Sequence, residues 1–252
     1  MYSGIKINKR ECVDKSPYTV YYPHIKNVAE RCWDNDHYHI ISVDPASTNY
    51  ALRIEKRYHN GWIRPVVFDK VSIKDIDEND GFTLCNTFNN LTNFLDKYKK
   101  YYNGTHFVVI ERQLPQNYKA TRIAQHTISY FSIILRDCET LPTIIEVDPK
   151  LKGKMLGAPQ GINDRQLKSW AIVKASELLV IRKDDFSQNI MKKFKNKQDD
   201  LADTICQIEA LFVLWGMLLT VIPPNENTDD TEKKSVYISI DEICKTIVPF
   251  MK

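Results

Sequence analysis

Three short runs constrain this chain more than anything else in it: His39–Asp44 (HIISVD), His106–Glu111 (HFVVIE) and Thr143–Pro149 (TIIEVDP). Each is apolar at consecutive positions rather than alternate ones, the pattern of a strand buried on both faces. Such strands need helices above and below the sheet, so an α/β architecture follows. Two of the runs end on a carboxylate, Asp44 and Glu111, where a core strand least tolerates charge. A core strand that ends on an acid needs a reason.

Around these runs the order of elements can be read. A strand over 38–44 is followed by an alternating strand over 50–58, the hairpin signal Asn60-Gly61, and a returning strand over 62–73. Leu84, Phe88, Leu91, Leu95, Tyr98 and Tyr102 step by three or four, a helix stopped by Asn103-Gly104. A strand over 106–111, a helix over 118–138 with Ala124, Ile128, Phe131 and Leu135 in register, and a strand over 143–149 come next. A basic loop with Gly153 and Gly157 leads to a helix that starts from a cap at Asn163 or Asp164 and runs to about Val180. The segment 182–197 is strongly basic, and a long helix over 198–219 closes the core. Residues 1–36 read as an irregular N-terminal extension, 37–222 as the folded domain, and 223–252 as an acidic linker and tail after Pro223-Pro224.

Bulk properties exclude several classes. The 252 residues suffice for one full core, and 43% hydrophobic with 27% charged residues is ordinary for a globular chain. The net charge of +3 announces no global field, so any nucleic-acid affinity must come from local patches. Six cysteines without a C-x-x-C pair read as reduced thiols in an intracellular protein, and no apolar leader stands at the N-terminus. The run Ile205–Ile222 approaches the length of a membrane span, about 20 residues, but Gln207 and Glu209 interrupt it, so it reads as a core helix with no membrane role.

The final helix begins KQDDLADT and adds Asp199, Asp200 and Asp203 to the strand-end acids. Asp200 and Asp203 stand three apart and share a helix face; Asp199 and Asp203, four apart, are nearly as well aligned. Counted at about 3.6 residues per turn, Asp200 lies nearer the apolar stripe and Asp199 farther toward solvent. Gathered carboxylates repel one another, and a hard cation such as Mg²⁺ with oxygen ligands relieves the repulsion. Two such ions about 4 Å apart can hold the attacking and leaving oxygens of a phosphodiester displacement. A rigid strand end is then the right place for a ligand. Each acid also has an ordinary alternative: Asp44-Pro45 as a turn starter, Glu111 paired with Arg112, Asp199-Asp200 at a helix N-terminus. The ordered set favours the metal site. His37 and His39 have ligand spacing too, but no third ligand lies near them in sequence.

The segments IISVDPASTNYALRIEKR, VVIERQ, IIEVDPKLKGK and KQDDLADT resemble the RuvC-type Holliday junction resolvases of the RNase H superfamily, nearest the branch found in poxviruses and other large nucleocytoplasmic DNA viruses. The resemblance covers about 38–219. It implies an RNase H-like mixed sheet: three antiparallel strands, with 106–111 and 143–149 parallel to the first. It implies an Mg²⁺-dependent, structure-selective endonuclease with two ions per site, Mn²⁺ substituting, and Asp44, Glu111, Asp200 and Asp203 as catalytic ligands. It also implies paired symmetric nicks on four-way junctions, a homodimer, 5′-phosphate and 3′-hydroxyl ends, and a place in host cytoplasm or at a viral replication site. Lys197 falls where some relatives carry a basic residue near the scissile phosphate. Where the family often has glycine two residues after the first Asp, this chain has Ala46, so a negative φ is expected there.

The basic segments suit DNA. Lys150, Lys152, Lys154, Arg165 and Lys168 flank the strand ending at 149, and such charges contact phosphates without reading sequence. Tyr118 and Tyr130 read as packing residues rather than base-stacking platforms. Two rivals remain in view. An actin-like ATPase or sugar-kinase fold also opens with a strand, an acid and a hairpin, but DPASTN lacks the glycine of a phosphate turn. An inactive RNase H-like scaffold that binds branched DNA is the other; the four intact acids argue against it.

Overall fold

The computed structural model describes residues 16–22, 36–74, 84–138, 141–194 and 197–216. Six strands form one mixed sheet in the order β1-β6-β5-β2-β3-β4. These are β1 (Tyr18–Tyr22), β2 (His37–Asp44), β3 (Tyr50–Tyr58), β4 (Ile63–Val71), β5 (Phe107–Glu111) and β6 (Thr143–Val147). As expected, β2, β3 and β4 follow one another as antiparallel hairpins, β3 pairing with β2 and β4 with β3, while β5 pairs parallel with β2 and β6 parallel with β5.

The doubly apolar runs are covered on both faces. Alternation sends Ile41 and Val43 of β2 toward one core, with Leu91 and Leu95 of α1 (Leu84–Asp96) and Ile123 and Phe131 of α2 (Tyr118–Ile134). It sends Ile40 of β2, and Phe107 and Val109 of β5, to the opposite core, with Ile208 and Leu211 of α6 (Gln198–Leu214). α3 (Lys150–Leu156) and α4 (Asp164–Ile181) pack against α6, and α5 (Asp185–Lys193) packs against α4 and β4. α6 is therefore sandwiched between sheet and helices, and almost every side chain from Leu201 to Phe212 is buried.

Four expectations are corrected. Residues 1–36 are not irregular throughout, because Tyr18–Tyr22 form β1, an antiparallel edge strand on β6. The basic loop after β6 is the helix α3, opened at Pro149 and ended by Gly157 at φ 79°. The basic segment 182–197 contains α5, capped by the Asp184 side chain on Ser187 N. Its Arg182 is buried against Glu209 and is no surface charge. The expected tail and linker, 223–252, lie outside the described residues. No described helix is long and apolar enough to cross a membrane.

A buried ion network ties α4 and α5 to β3. Arg53, fully buried, donates to Glu55, to Ser187 and to Asp184, the last at 3.0 Å. Arg57 bridges Glu55 and Glu209, and Arg182 meets Glu209 as well. Burial pushes the Glu55 carboxyl up, but Arg57 and Arg53 more than offset this and hold it below the usual range.

Candidate metal centre

Strand register assembles the site. Val43 of β2 pairs with Ile110 of β5, so the next residues, Asp44 and Glu111, leave the two strands side by side. Both have the parity that faces α6: Asp44 with Ile40 and Ser42, Glu111 with Phe107 and Val109. From α6, Asp203 meets them. Oxygens of Asp44, Glu111 and Asp203 lie within 4.8 Å of one another, and among the described residues these three alone form such a group. The turn after Asp44 is anchored where the Ser47 carbonyl accepts from the amides of Ile73 and Lys74. Outside glycine, only Lys183 and Lys197 have positive φ among the described residues, so Ala46 carries no left-handed strain.

Lys152 stands inside the cluster. The sequence pattern puts it on the DNA-facing surface, but its Nζ donates to Glu111 Oε2 at 2.6 Å and lies 2.7 Å from Asp203 Oδ2. The helix explains the difference. At about 100° per residue, Lys150 and Lys154 share one face of α3 while Lys152 points the opposite way; Lys150 and Lys154 are exposed and Lys152 is buried. Pro149 before and Gly157 after the segment are the signals that mark a short helix.

The electrostatics follow from burial. Desolvation, then the charges of Glu111 and Asp203, holds the Asp44 carboxyl well above the ordinary range. Burial likewise pushes Asp203 up to about 7, against the pull of Lys152. Burial depresses the Lys152 ammonium, but Glu111 and Asp203 outweigh it and its proton is held more tightly than usual. Three carboxylates face one ammonium here, so two negative charges stay uncompensated when all are ionised. Oxygen donors in excess of the available protein cations suit a hard divalent ion, and the residues fit such an ion.

Asp200 stands outside the triad. Its nearest cation is Lys70, whose Nζ is 3.8 Å from Oδ2, too long for a hydrogen bond, and that oxygen is buried without a hydrogen-bond partner among the described residues. Burial and then Asp199 push its carboxyl up, and its charge is felt at Asp44. Asp199 does not lie toward solvent as the helical count suggests; it is 7% exposed, under α4, with Lys168 donating at 2.8 Å. Burial raises its carboxyl, but the Lys168 hydrogen bond and charge bring it below the usual range. Of the other expected cations, Arg165 and Lys197 are exposed, and Lys168 is exposed with its tip on Asp199. Tyr130 is buried and Tyr118 is 58% exposed. His39 is buried in the sheet and belongs to no three-ligand group.

The yeast mitochondrial Holliday junction resolvase Ydc2 superposes with a TM-score of 0.50 over 75% of this chain and 85% of that one, at 12% identity. The fold is RuvC-like, within the RNase H class. Among curated proteins, Uncharacterized protein 170L of Invertebrate iridescent virus 6 is 31% identical over 144 residues, covering 49% of this chain and 57% of that protein. Uncharacterized protein 97L of Invertebrate iridescent virus 3 is 28% identical over 116 residues, covering 46% and 52%. The chain thus spans about half the length of these viral relatives. No family model matches the sequence.

Proposed function

We propose that this protein is a divalent-metal-dependent DNA endonuclease that resolves four-way junctions. The observation that carries this reading is the convergence of Asp44, Glu111 and Asp203 around one point, on a RuvC-like fold. Asp44, Glu111 and Asp203 would hold Mg²⁺, with Asp200 close enough to contribute charge. When bound, such ions supply acidity to water and positive charge to a phosphodiester. The chain's own residues do the rest. Two strand ends fix Asp44 and Glu111 rigidly, and Asp203 arrives on a helix locked between sheet and α4. Lys152, whose proton Glu111 and Asp203 hold more tightly than usual, offers a positive donor beside a phosphate. Lys150, Lys154, Arg165, Lys168 and Lys197 are the side chains we assign to DNA phosphates. Paired nicks across a junction need two sites, so the active species in this reading is a homodimer.

The test is a synthetic four-way junction with purified protein in Mg²⁺ or in EDTA. Paired nicks in Mg²⁺ and none in EDTA are expected. Asp44→Asn should lose orders of magnitude in rate while junction binding persists, because charge stabilisation is the dominant catalytic contribution. Wild-type cutting by Asp44→Asn sinks the assignment, and tight binding without cutting by the wild type leaves a scaffold.

A further inference from the structure

Behind the acids, away from any substrate, β2 and α6 grip each other through a pair of side chains. Gln207 Nε2 donates to the main-chain carbonyl of Val43 at 3.0 Å and to Ser42 Oγ at 2.6 Å. Ser42 Oγ in turn donates to the main-chain carbonyl of Thr204 at 2.8 Å. Both residues are almost wholly buried. The adjacency is reciprocal. The helix side chain binds the backbone next to Asp44, and the strand side chain binds the backbone next to Asp203. Only one orientation of the amide works, because the Val43 carbonyl can accept but never donate. That orientation leaves Gln207 Oε1 buried with no hydrogen-bond partner among the described residues. A stranded buried acceptor is unfavourable, and an apolar side chain of the same shape would avoid it. Stability alone therefore does not explain a glutamine at this place.

We propose that Ser42 and Gln207 are positioning residues that fix the separation of Asp44 and Asp203 for a divalent cation. The inference rests on the reading that these acids bind such an ion. Neither side chain touches the acids' oxygens; each acts through the main chain of the neighbouring residue. α6 meets the sheet here through smooth apolar side chains, Ile205, Ile208 and Leu211, which by themselves permit small slides and rotations. The two directional hydrogen-bonding groups remove that freedom at the one level where it would move a ligand.

The test separates affinity from stability in the whole 252-residue chain. Mn²⁺ binding is measured by calorimetry, and melting temperature in EDTA, for wild type, Asp203→Asn, Gln207→Met, and the double variant Ser42→Ala/Gln207→Met. In the double variant both side-chain partners are apolar, so neither strands the other. The expectation is a melting temperature within about 2 °C of wild type for the double variant, with Mn²⁺ affinity weakened about tenfold. Unchanged affinity in a folded double variant overturns the positioning role. So does a loss of stability in step with affinity in both Gln207 variants, which marks the pair as merely structural. If wild type binds no better than Asp203→Asn, the metal reading itself has failed and this inference falls with it.

Discussion

Lys152 is the residue whose removal should speak most clearly. Its ammonium sits between Glu111 and Asp203 at 2.6 and 2.7 Å, so Lys152→Met leaves two largely buried carboxylates without their cation. Breaking one side of a buried ion pair costs about 3–5 kcal/mol. Urea unfolding in EDTA should show a loss of that order, and Mg²⁺ should restore part of it if the acids bind metal. Asp203 gives a pH signature of its own. Its carboxyl is held at about 7, above the unfolded value of 3.8. A carboxyl raised in the folded state favours folding only while protonated; that contribution is complete below the unfolded value and is lost as pH rises through about 7. In EDTA the melting temperature should therefore decline across this window. Added Mg²⁺ must displace the proton, so its stabilising increment should grow over the same range. A flat increment from about pH 5 to 8 would mean that the ion does not meet Asp203.

At the level of elements, α3 divides its lysines into two jobs. Lys150 and Lys154 face outward and Lys152 faces the acids. Lys150→Ala with Lys154→Ala should weaken junction binding and flatten its salt dependence by roughly 0.9 for each phosphate no longer neutralised, as read from affinities over a range of KCl. An unchanged slope would leave these lysines merely solvated. The same helix shows where sequence was legible and where it was not. β2, β5 and β6, with the acids that end two of them, could be read because doubly buried strands leave continuous apolar runs. α3 could not, because seven residues with an internal glycine give too little periodicity. Asp199 is hard to place from sequence for the opposite reason: α6 is buried nearly all round, so a count that assumes one wet face misjudges which acid is covered. β1 is not legible in the sequence because an edge strand's partner is remote. Tyr18, Thr19 and Val20 favour strand individually, yet nothing nearby in sequence names β6.

For the molecule as a whole, β1 completes the sheet edge and reaches toward the site. Arg112, which follows Glu111, donates to Thr19 Oγ1 and to the Ser16 carbonyl, and the Asp148 amide donates to the Pro17 carbonyl. Deleting residues 1–22 would bare β6, whose five residues are all buried. An exposed apolar edge recruits other chains, so the shortened protein should melt lower and scatter light at concentrations where the full chain does not. Equal melting and scattering would make β1 an ornament.

The position of β1 also sets a clock. Tyr21 donates to Glu146 across 125 positions of sequence, so among the described strands the earliest made is bonded to the latest. At roughly 10 residues per second of synthesis, it waits on the order of ten seconds with no partner. Until β6 emerges, Arg112 has nothing from the N-terminal segment to hold it, and the nascent chain carries a sticky, tyrosine-rich strand in the open. A protein built this way relies on whatever shelters this strand during translation, and its yield should be more sensitive to elongation speed and chaperone supply than its finished stability suggests.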